Sequence, residues 1–191
     1  FNEHHIGATI ISYLNSTQKI NLNVIITYSD ALYFFGKWYL QLWAESIGKK
    51  NKGTTPIHAV GTTDQHSQLQ LYLDGPKDKY FSFITTDYRN QGLEMNEEIF
   101  KEKEVNFLAG KTMGDLMYAE QQATLATLIN KGLPVREIFC NKINEYTLGQ
   151  LMTYFMIETI VACFLFGVNP FNQPAVEQGK KLVKDFISNK I

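Results

Sequence analysis

Cysteine and histidine are scarce in this sequence, and those present form no metal-binding motif. The chain has two cysteines, Cys140 and Cys163, and four histidines, His4, His5, His58 and His66. The cysteines lie in separate segments without a CxxC spacing, and no HExxH or Cys/His cluster accompanies the histidines. We therefore expect no metal site, and we interpret both cysteines as reduced core residues of a cytoplasmic protein.

An excess of charge of either sign is also absent. The chain has 18 Lys and Arg against 19 Asp and Glu, which gives a formal net charge of −1 and a pI near 6.5. Binding to nucleic acid or to an anionic membrane surface requires a basic patch. We therefore expect neither partner, and any anionic ligand must be held by local groups.

No signal-peptide pattern opens the chain, and only one segment is long and apolar. The run from Leu148 to Val168 has about the length of a membrane span. Four polar residues, Glu158 among them, interrupt it and no basic residues flank it, so we interpret it as a buried helix. Because the chain starts at Phe1 without a methionine, we interpret it as a fragment of a longer protein.

What the sequence does contain is typical of one α/β domain. Hydrophobic residues make up 45% of 191 residues, enough for a sizeable core. Short β-branched or aromatic runs alternate with helical patterns, which predicts a doubly wound, mostly parallel sheet flanked by helices on both faces. The predicted strands are Asn23 to Thr27, Ile57 to Gly61, Tyr80 to Thr85 and Val135 to Asn141. The predicted helices are Glu3 to Leu14, Ser29 to Ile47, Asp64 to Leu73, Glu94 to Asn106, Thr112 to Lys131, Leu148 to Phe166 and Pro174 to Ser188. Gly48 predicts the end of its helix, and Thr112 through Asp115 resembles a capping box.

Three ionisable residues fall on the apolar faces of separate predicted helices. Glu45 follows Ala31, Phe35, Trp38 and Leu42; His66 precedes Leu69 and Leu73; Lys180 lies between Gln173, Val176, Val183 and Ile187. Burying charged groups is costly, so we expect the three to share a cavity, pair with one another, or titrate. Such a set of groups suits proton-transfer chemistry.

Each of the three also has a simpler interpretation. Glu45 lies in the last turn of its helix, where backbone carbonyls and apolar neighbours should raise its affinity for a proton; alternatively it is exposed and paired with Lys49. His66 lies in the first turn after a strand, where parallel sheets bind ligands, or it is a core histidine bonded to backbone. Lys180 points its ammonium at a cavity that Gln173 also faces, or it only extends past its neighbours to water.

Three segments of the sequence resemble glucose-6-phosphate isomerases. They are Gly61-Thr62-Thr63-Asp64-Gln65-His66-Ser67-Gln68-Leu69-Gln70, the run Asn169-Pro170-Phe171-Asn172-Gln173-Pro174-Ala175-Val176-Glu177-Gln178-Gly179-Lys180, and Trp43-Ala44-Glu45-Ser46-Ile47-Gly48, with Tyr28-Ser29-Asp30 upstream. The likeness extends over essentially the whole chain. It implies that residues 1–191 are the C-terminal sugar isomerase (SIS) domain, a three-layer sandwich, of a larger two-domain enzyme.

The resemblance also implies a role for each candidate residue. Glu45 would be the base that moves a proton between C2 and C1 of the sugar through a cis-enediol, in glycolysis and gluconeogenesis. His66, supplied by the neighbouring subunit of a homodimer, would open the sugar ring with help from Lys180, and Gln173 would contact the substrate near its phosphate. No metal or organic cofactor is implied.

Parts of the family pattern are missing from this chain. We find neither its Gly-Gly-Arg-Phe-Ser type segment nor its Ser/Thr phosphate loop, which belong to the N-terminal half, so we expect the isolated fragment to be inactive. Two other interpretations stay open: a non-catalytic sugar-phosphate-binding SIS module, which would have no use for the base Glu45, and a structural dimerisation module, which would leave His66 and Lys180 without a shared purpose.

Overall fold

The computed structural model describes residues 4–188 and shows a single parallel sheet in that part of the chain. Its strands are β1 (Leu22–Thr27), β2 (Thr55–Val60), β3 (Lys79–Thr86) and β4 (Val135–Cys140), in the order β2-β1-β3-β4. All three pairs of neighbouring strands are parallel. The predicted doubly wound sheet is confirmed, and each predicted strand is present with small shifts at its ends.

Helices connect these strands and cover the sheet. They are α1 (His4–Gln18), α2 (Tyr33–Ile47), α3 (Thr63–Asp74), α4 (Met113–Asn130), α5 (Glu145–Phe166) and α6 (Glu177–Ile187), with short 3-10 helices at Asp30–Leu32, Asn106–Leu108 and Pro174–Val176. The first residue of the predicted N-terminal helix, Glu3, lies outside the described residues. The other predicted helices are present except the one at Glu94 to Asn106.

The segment predicted as a helix from Glu94 to Asn106 is instead an irregular loop. Only short turns close within it, such as the hydrogen bond from the Phe100 N–H to the Asn96 carbonyl at 3.2 Å, and the Met95 N–H donates outside it, to the Lys111 carbonyl at 2.7 Å. Within the loop, the Asn96 side chain accepts a hydrogen bond from the Glu98 N–H at 2.7 Å. Asparagine side chains often compete with helix formation in this way. The mixed charges of the segment did not indicate this local hydrogen bond.

Two apolar cores lie on opposite faces of the sheet and make the molecule three layers thick. Helices α1, α2 and α5 pack on one face, where Trp43 and Phe155 join Ile25 in the core. Helices α3 and α4 pack on the other, where Leu128 joins Phe83. Strand β3 is buried along its whole length, as expected for a parallel strand covered on both sides.

Helix α5 is long and apolar enough to cross a membrane by length and composition, and no other helix in residues 4–188 meets that test. Here one side of it packs against α1 and α2, so the predicted buried helix is buried on that side, while Tyr146 and Phe164 are exposed. Glu158, fully buried in its middle, accepts a hydrogen bond from the Arg136 guanidinium of β4 at 2.7 Å. Gly7 of α1 leaves room for this ion pair, because a side chain there would collide with both groups.

The parallel topology fixes which edge of the sheet each helix end approaches. Helix α2 leaves the carboxyl end of β1 and returns the chain to the amino end of β2, so its last turn lies at the amino edge. Helix α3 begins where β2 ends, at the carboxyl edge. The six residues of β2 separate these two edges by about 20 Å.

Candidate functional site

The first wall of the candidate site is the tight loop that follows α2 at the amino edge. Gly48 ends the helix as predicted, and its N–H donates to the Ala44 carbonyl at 3.3 Å. Lys50 and Asn51 then have φ values of 55° and 58°, and the Lys52 N–H donates to the Lys49 carbonyl at 2.9 Å. Two positive φ values closed by this hydrogen bond are the pattern of a type I′ turn, which reverses the chain toward β2.

The second wall is the segment from Asn169 to Val176, which follows α5. Gly167, at φ 69°, ends α5 in the left-handed conformation that favours glycine. The ammonium of Lys52 donates to the Phe166 carbonyl at 2.9 Å and so ties the first wall to the end of α5. Two parts of the chain that are far apart in sequence are thereby held side by side.

Glu45 and Gln173 meet in a cavity of about 610 Å³ between these walls. The Gln173 amide donates to one carboxylate oxygen of Glu45 at 2.8 Å, and the Gln41 amide donates to the other at 3.1 Å. The lining residues are Ala44, Glu45, Gly48, Lys49, Lys50, Asn51, Lys52, Asn169, Asn172, Gln173, Pro174, Ala175 and Val176. Both Glu45 and Gln173 are exposed, so a ligand can reach the carboxylate from solvent.

The expectation that Glu45 lies on the buried face of its helix is wrong. The buried residues of α2 are Phe35, Gly36, Tyr39, Trp43 and Ile47. Glu45 lies off this stripe, because the true stripe is one position away from the sequence pattern that included Ala31 and Leu42. Of the simpler alternative, the exposed position of Glu45 is confirmed, but the pair with Lys49 is wrong, because the Lys49 ammonium donates to the backbone carbonyl of Glu45 at 2.9 Å.

His66 is in the first turn of α3, as predicted, but it is exposed and at the other edge of the sheet. The buried residue of that helix is Tyr72. His66 is not among the residues that line the cavity with Glu45, and the length of β2 separates the ends of the two helices. The prediction that acid and imidazole converge is therefore wrong within one chain.

Lys180 is on the predicted C-terminal helix but not in an apolar environment. Its ammonium pairs with the Glu177 carboxylate at 2.7 Å, and the two side chains are 65% and 59% exposed. None of the residues of α6 is buried, and Val183 on the same line is 57% exposed. The expectation that Lys180 is packed among hydrophobes and shares a cavity with Gln173 is wrong in this chain.

The charges of the Glu45 cavity favour an anionic ligand. Three lysines, Lys49, Lys50 and Lys52, line it with a single acidic residue, Glu45, although the ammonium groups of Lys49 and Lys52 are bonded to backbone carbonyls. A concave surface with this excess of positive charge raises the local concentration of anions. The carboxylate has each oxygen held by an amide donor, which leaves lone pairs free to accept a proton from a bound molecule.

The groups that support Glu45 were only weakly indicated by the sequence. Gln41 lies four residues before it, a spacing that brings side chains together on a helix. Lys49 lies four residues after it, but beyond the helix end, where spacing alone does not tell a carboxylate partner from a carbonyl partner. Residues 169 to 172 contain two asparagines of the cavity and carried no chemical signal beyond the resemblance.

A second histidine was missed at the carboxyl edge. His58 of β2 bonds through Nε2 to the Thr27 hydroxyl at 3.0 Å, and it lines an open cavity of about 420 Å³ with Lys37 and Asp64. Burial, assisted by the nearby Lys37 ammonium, lowers the pKa of His58 below its ordinary value. Among residues 4–188 no group of three or more His, Cys, Asp or Glu side chains could hold a metal ion.

Comparison with known proteins gives consistent matches. The chain is 40% identical over 177 residues to the glucose-6-phosphate isomerase of Rubrobacter xylanophilus, covering 93% of this chain and 41% of that protein. It is 38% identical over 179 residues to the probable glucose-6-phosphate isomerase of Methanococcus maripaludis, covering 94% of this chain and 40% of that protein. The chain thus spans about two fifths of the length of these curated relatives.

Solved structures share the fold. A hypothetical protein of Thermus thermophilus matches with a TM-score of 0.83 at 32% identity, over 95% of this chain and 44% of that one. A glucose-6-phosphate isomerase of Chlamydia trachomatis matches with a TM-score of 0.74 at 21% identity, over 96% of this chain and 38% of that one. The sequence profile described as phosphoglucose isomerase matches residues 2–190. The chain therefore belongs to the phosphoglucose isomerase family.

Proposed function

We propose that the full-length protein interconverts D-glucose 6-phosphate and D-fructose 6-phosphate, and that this chain is its C-terminal SIS domain. The observation that carries the proposal is the solvent-accessible carboxylate of Glu45, which two amides hold in a cavity that three lysines help to line. The names of the relatives support the same reaction. A protein of this function would work in the cytoplasm, in glycolysis and gluconeogenesis.

The proposed chemistry is a proton transfer between neighbouring carbons. Glu45 removes the proton from C2 of the open-chain aldose, a position made acidic by the adjacent carbonyl, and a cis-enediol forms. The same carboxyl group then returns the proton to C1 and gives the ketose. A positioned carboxylate suffices for this step, so the proposal includes no metal or organic cofactor. Gln173, one of the two amides that hold Glu45, would contact the substrate near its phosphate.

In this proposal, His66 acts in the site of a second subunit, and Lys180 acts after its ion pair with Glu177 has opened. Since His66 lies about a strand length from Glu45 in the same chain, we propose that it opens the sugar ring in the site of the partner subunit of a homodimer. Lys180 would assist at the ring oxygen after leaving Glu177. An exposed pair of this kind is worth about 0 to 1 kcal/mol, so a substrate contact can replace it.

In this proposal, an N-terminal half completes the site, in keeping with the greater length of the relatives. Helix α6 shows apolar side chains to solvent, with Val183, Phe186 and Ile187 57%, 61% and 79% exposed, and the cavity beside it is open. Since the relatives are more than twice as long as the matched chain, we propose that their additional domain supplies the phosphate-binding loop and packs near α6. The fragment alone is then expected to be inactive.

The test is Glu45→Gln in the full-length protein, with Glu102→Gln in the exposed 87–112 loop as the matched control. We expect Glu45→Gln to lower kcat by roughly 10²- to 10⁴-fold while the affinity for glucose 6-phosphate changes little, and Glu102→Gln to change neither. The measurements are coupled assays of isomerisation and calorimetric binding.

Two outcomes would decide against the proposal. Turnover retained in Glu45→Gln would remove Glu45 as the base. Binding of the sugar phosphate by the unmodified full-length protein without any turnover would instead favour the non-catalytic SIS module.

A further inference from the structure

We propose that Lys50 is a substrate-binding residue, whose ammonium attracts the phosphate group of the sugar into the Glu45 cavity. The inference rests on the proposed function, because it concerns the substrate of that reaction. It is carried by the hydrogen bonds along the first wall of the cavity, which occupy the ammonium groups of Lys49 and Lys52 and leave that of Lys50 available.

The three lysines that line the cavity differ in what their ammonium groups bind. That of Lys49 donates to two carbonyls at the end of α2, and that of Lys52 donates to the Phe166 carbonyl. Within residues 4–188, the structure shows no hydrogen bond or ion pair for the ammonium of Lys50, which is an exposed residue. All three of its N–H donors are therefore available to a ligand.

The turn that carries Lys50 is held at both ends. Lys50 has a φ of 55° and is the first of two successive residues in the left-handed conformation. The hydrogen bond from the Lys52 N–H to the Lys49 carbonyl closes the turn, and the Lys52 ammonium ties it to the end of α5. The backbone of Lys50 is thus fixed in the wall of the cavity, so that only its side chain has to move to meet a ligand.

The position of the base decides which end of the sugar lies near Lys50. Glu45 has to lie beside C1 and C2, whereas the phosphate is on C6, at the other end of the open-chain hexose. The second wall, residues 169–176, contributes amides and apolar groups but no charged side chain. Among the described residues that line the cavity, Lys50 therefore has the one unbonded cation that the phosphate can approach. It adds a positive charge from this chain to the groups that we propose for the additional domain.

An exposed cation of this kind acts mainly by attraction over a distance. A phosphate monoester carries nearly two negative charges at neutral pH, and a positive charge in a concave site raises the rate at which such an anion enters. Salt weakens the attraction, because the screening length falls from about 10 Å at 0.1 M to about 3 Å at 1 M. The role of Lys50 should therefore appear in kcat/KM, depend on ionic strength and leave kcat unchanged.

The experiment measures kcat and kcat/KM for glucose 6-phosphate in the full-length enzyme, at low ionic strength and in about 1 M salt. Lys50→Gln removes the charge, Lys50→Arg keeps it, and Lys50→Glu reverses it. Lys19→Gln is the matched control. Lys19 is likewise an exposed lysine with a positive φ, 58°, in the turn before β1 at the amino edge, but it does not line the cavity.

We expect Lys50→Gln to lower kcat/KM by roughly two- to fivefold at low ionic strength, and Lys50→Glu to lower it by about the square of that factor, because it changes the charge twice as much. Lys50→Arg and Lys19→Gln should keep the unmodified value. In high salt all the variants should approach the unmodified enzyme. An unchanged kcat/KM in Lys50→Gln at low ionic strength, an equal loss in Lys19→Gln, or a loss that persists undiminished in high salt would overturn the proposal.

Folding and function are controlled separately. Thermal unfolding identifies any variant that does not fold, and Lys50→Asn then serves as a second neutral variant, because asparagine tolerates a positive φ. If the unmodified enzyme does not isomerise glucose 6-phosphate, or if Glu45→Gln remains active, the proposed function fails. If the unmodified enzyme is active, Glu45→Gln is not, and only the salt-dependent loss in Lys50→Gln is missing, the role of Lys50 alone fails.

Discussion

The two edges of the parallel sheet hold different parts of the predicted site. At the amino edge, Glu45 and Gln173 meet although 128 residues separate them in sequence. At the carboxyl edge, His66 stands exposed at the start of α3 without either of them. Ligands of open α/β sheets usually bind at the carboxyl edge, yet here the carboxylate is at the opposite one. A helix that connects parallel strands therefore has its first and last turns at opposite edges of the sheet.

This separation has a consequence for the assembly. Glu45 ends a connecting helix and His66 begins the next, so no side-chain movement within one chain brings them onto the same sugar. If both act on one substrate, we expect them to come from different subunits. In a two-fold symmetric dimer, each chain then gives its amino edge to one site and its carboxyl edge to the other.

The largest effect should come from mixing two inactive variants of the full-length enzyme. We expect Glu45→Gln and His66→Gln each to be nearly inactive as homodimers. After dissociation and random reassociation, half of the dimers are mixed and each contains one intact site, so about a quarter of the normal activity should return. The measurement is an isomerase assay before and after the subunits exchange.

The control for this exchange is a mixture of Glu45→Gln with the double variant Glu45→Gln/His66→Gln, which contains no intact site in any dimer. Activity that stays absent after verified exchange of the single variants would show that both residues serve one site within a chain. In that case the distance between the two edges would have to close by a rearrangement of the domain.

A smaller effect should come from two substitutions, each of which removes a hydrogen bond that anchors the chain at one edge of the sheet. Lys52→Met removes the bond from the amino-edge turn to the Phe166 carbonyl, and Thr112→Ala removes the N-cap of α4 at the carboxyl edge, where Asp115 completes the predicted capping box. Each should cost about 1 kcal/mol in the free energy of unfolding. We expect only Lys52→Met to lower kcat/KM, by misplacing the wall that carries Gln173.

Urea unfolding and steady-state kinetics of the full-length variants check this pair. Equal losses of activity in both would mean that stability rather than the geometry of the amino edge controls turnover. If the two variants are equally stable and Lys52→Met keeps its full kcat/KM, the cavity tolerates movement of its walls.

The sequence predicted the elements of the fold much better than the burial of the candidate side chains. Alternation of apolar strands with long helical patterns was sufficient for β1 to β4, because parallel strands buried on both faces have a distinctive composition. The capping box at Thr112 and the stop at Gly48 were confirmed for the same local reason. The prediction of a helix from Glu94 to Asn106 is wrong because the segment forms only isolated turns and bonds at Met95 to Lys111, outside the segment.

The burial of individual helix residues could not be predicted, because an apolar stripe is several residues wide and its centre is not marked in the sequence. On α2 the stripe includes Phe35, but Tyr39 and Trp43 are among its other buried members, and Trp38 and Leu42 are not. That shift of one position turns Glu45 to solvent. On α6 the pattern is strongly amphipathic and the helix still has no buried residue. A sequence pattern indicates which face of a helix can be buried, whereas the packing partners in the rest of the protein decide whether it is buried.

The smallest expected effect concerns His58, the second titratable group of the carboxyl edge. Burial lowers its pKa in the folded chain below the ordinary value of 6.5, so the unfolded chain binds its proton more readily. The free energy of unfolding should therefore fall as the pH drops from about 7 through that lowered pKa. Above about pH 7, His58 should not lower the free energy of unfolding. His58→Gln, which can still bond to the Thr27 hydroxyl, should flatten this part of the curve. Denaturant titrations of the full-length protein at a series of pH values measure the slopes. Parallel curves for His58→Gln and the unmodified protein would show that the imidazole is as easily protonated in the folded state as in the unfolded one, and that the carboxyl edge contributes no acid sensitivity.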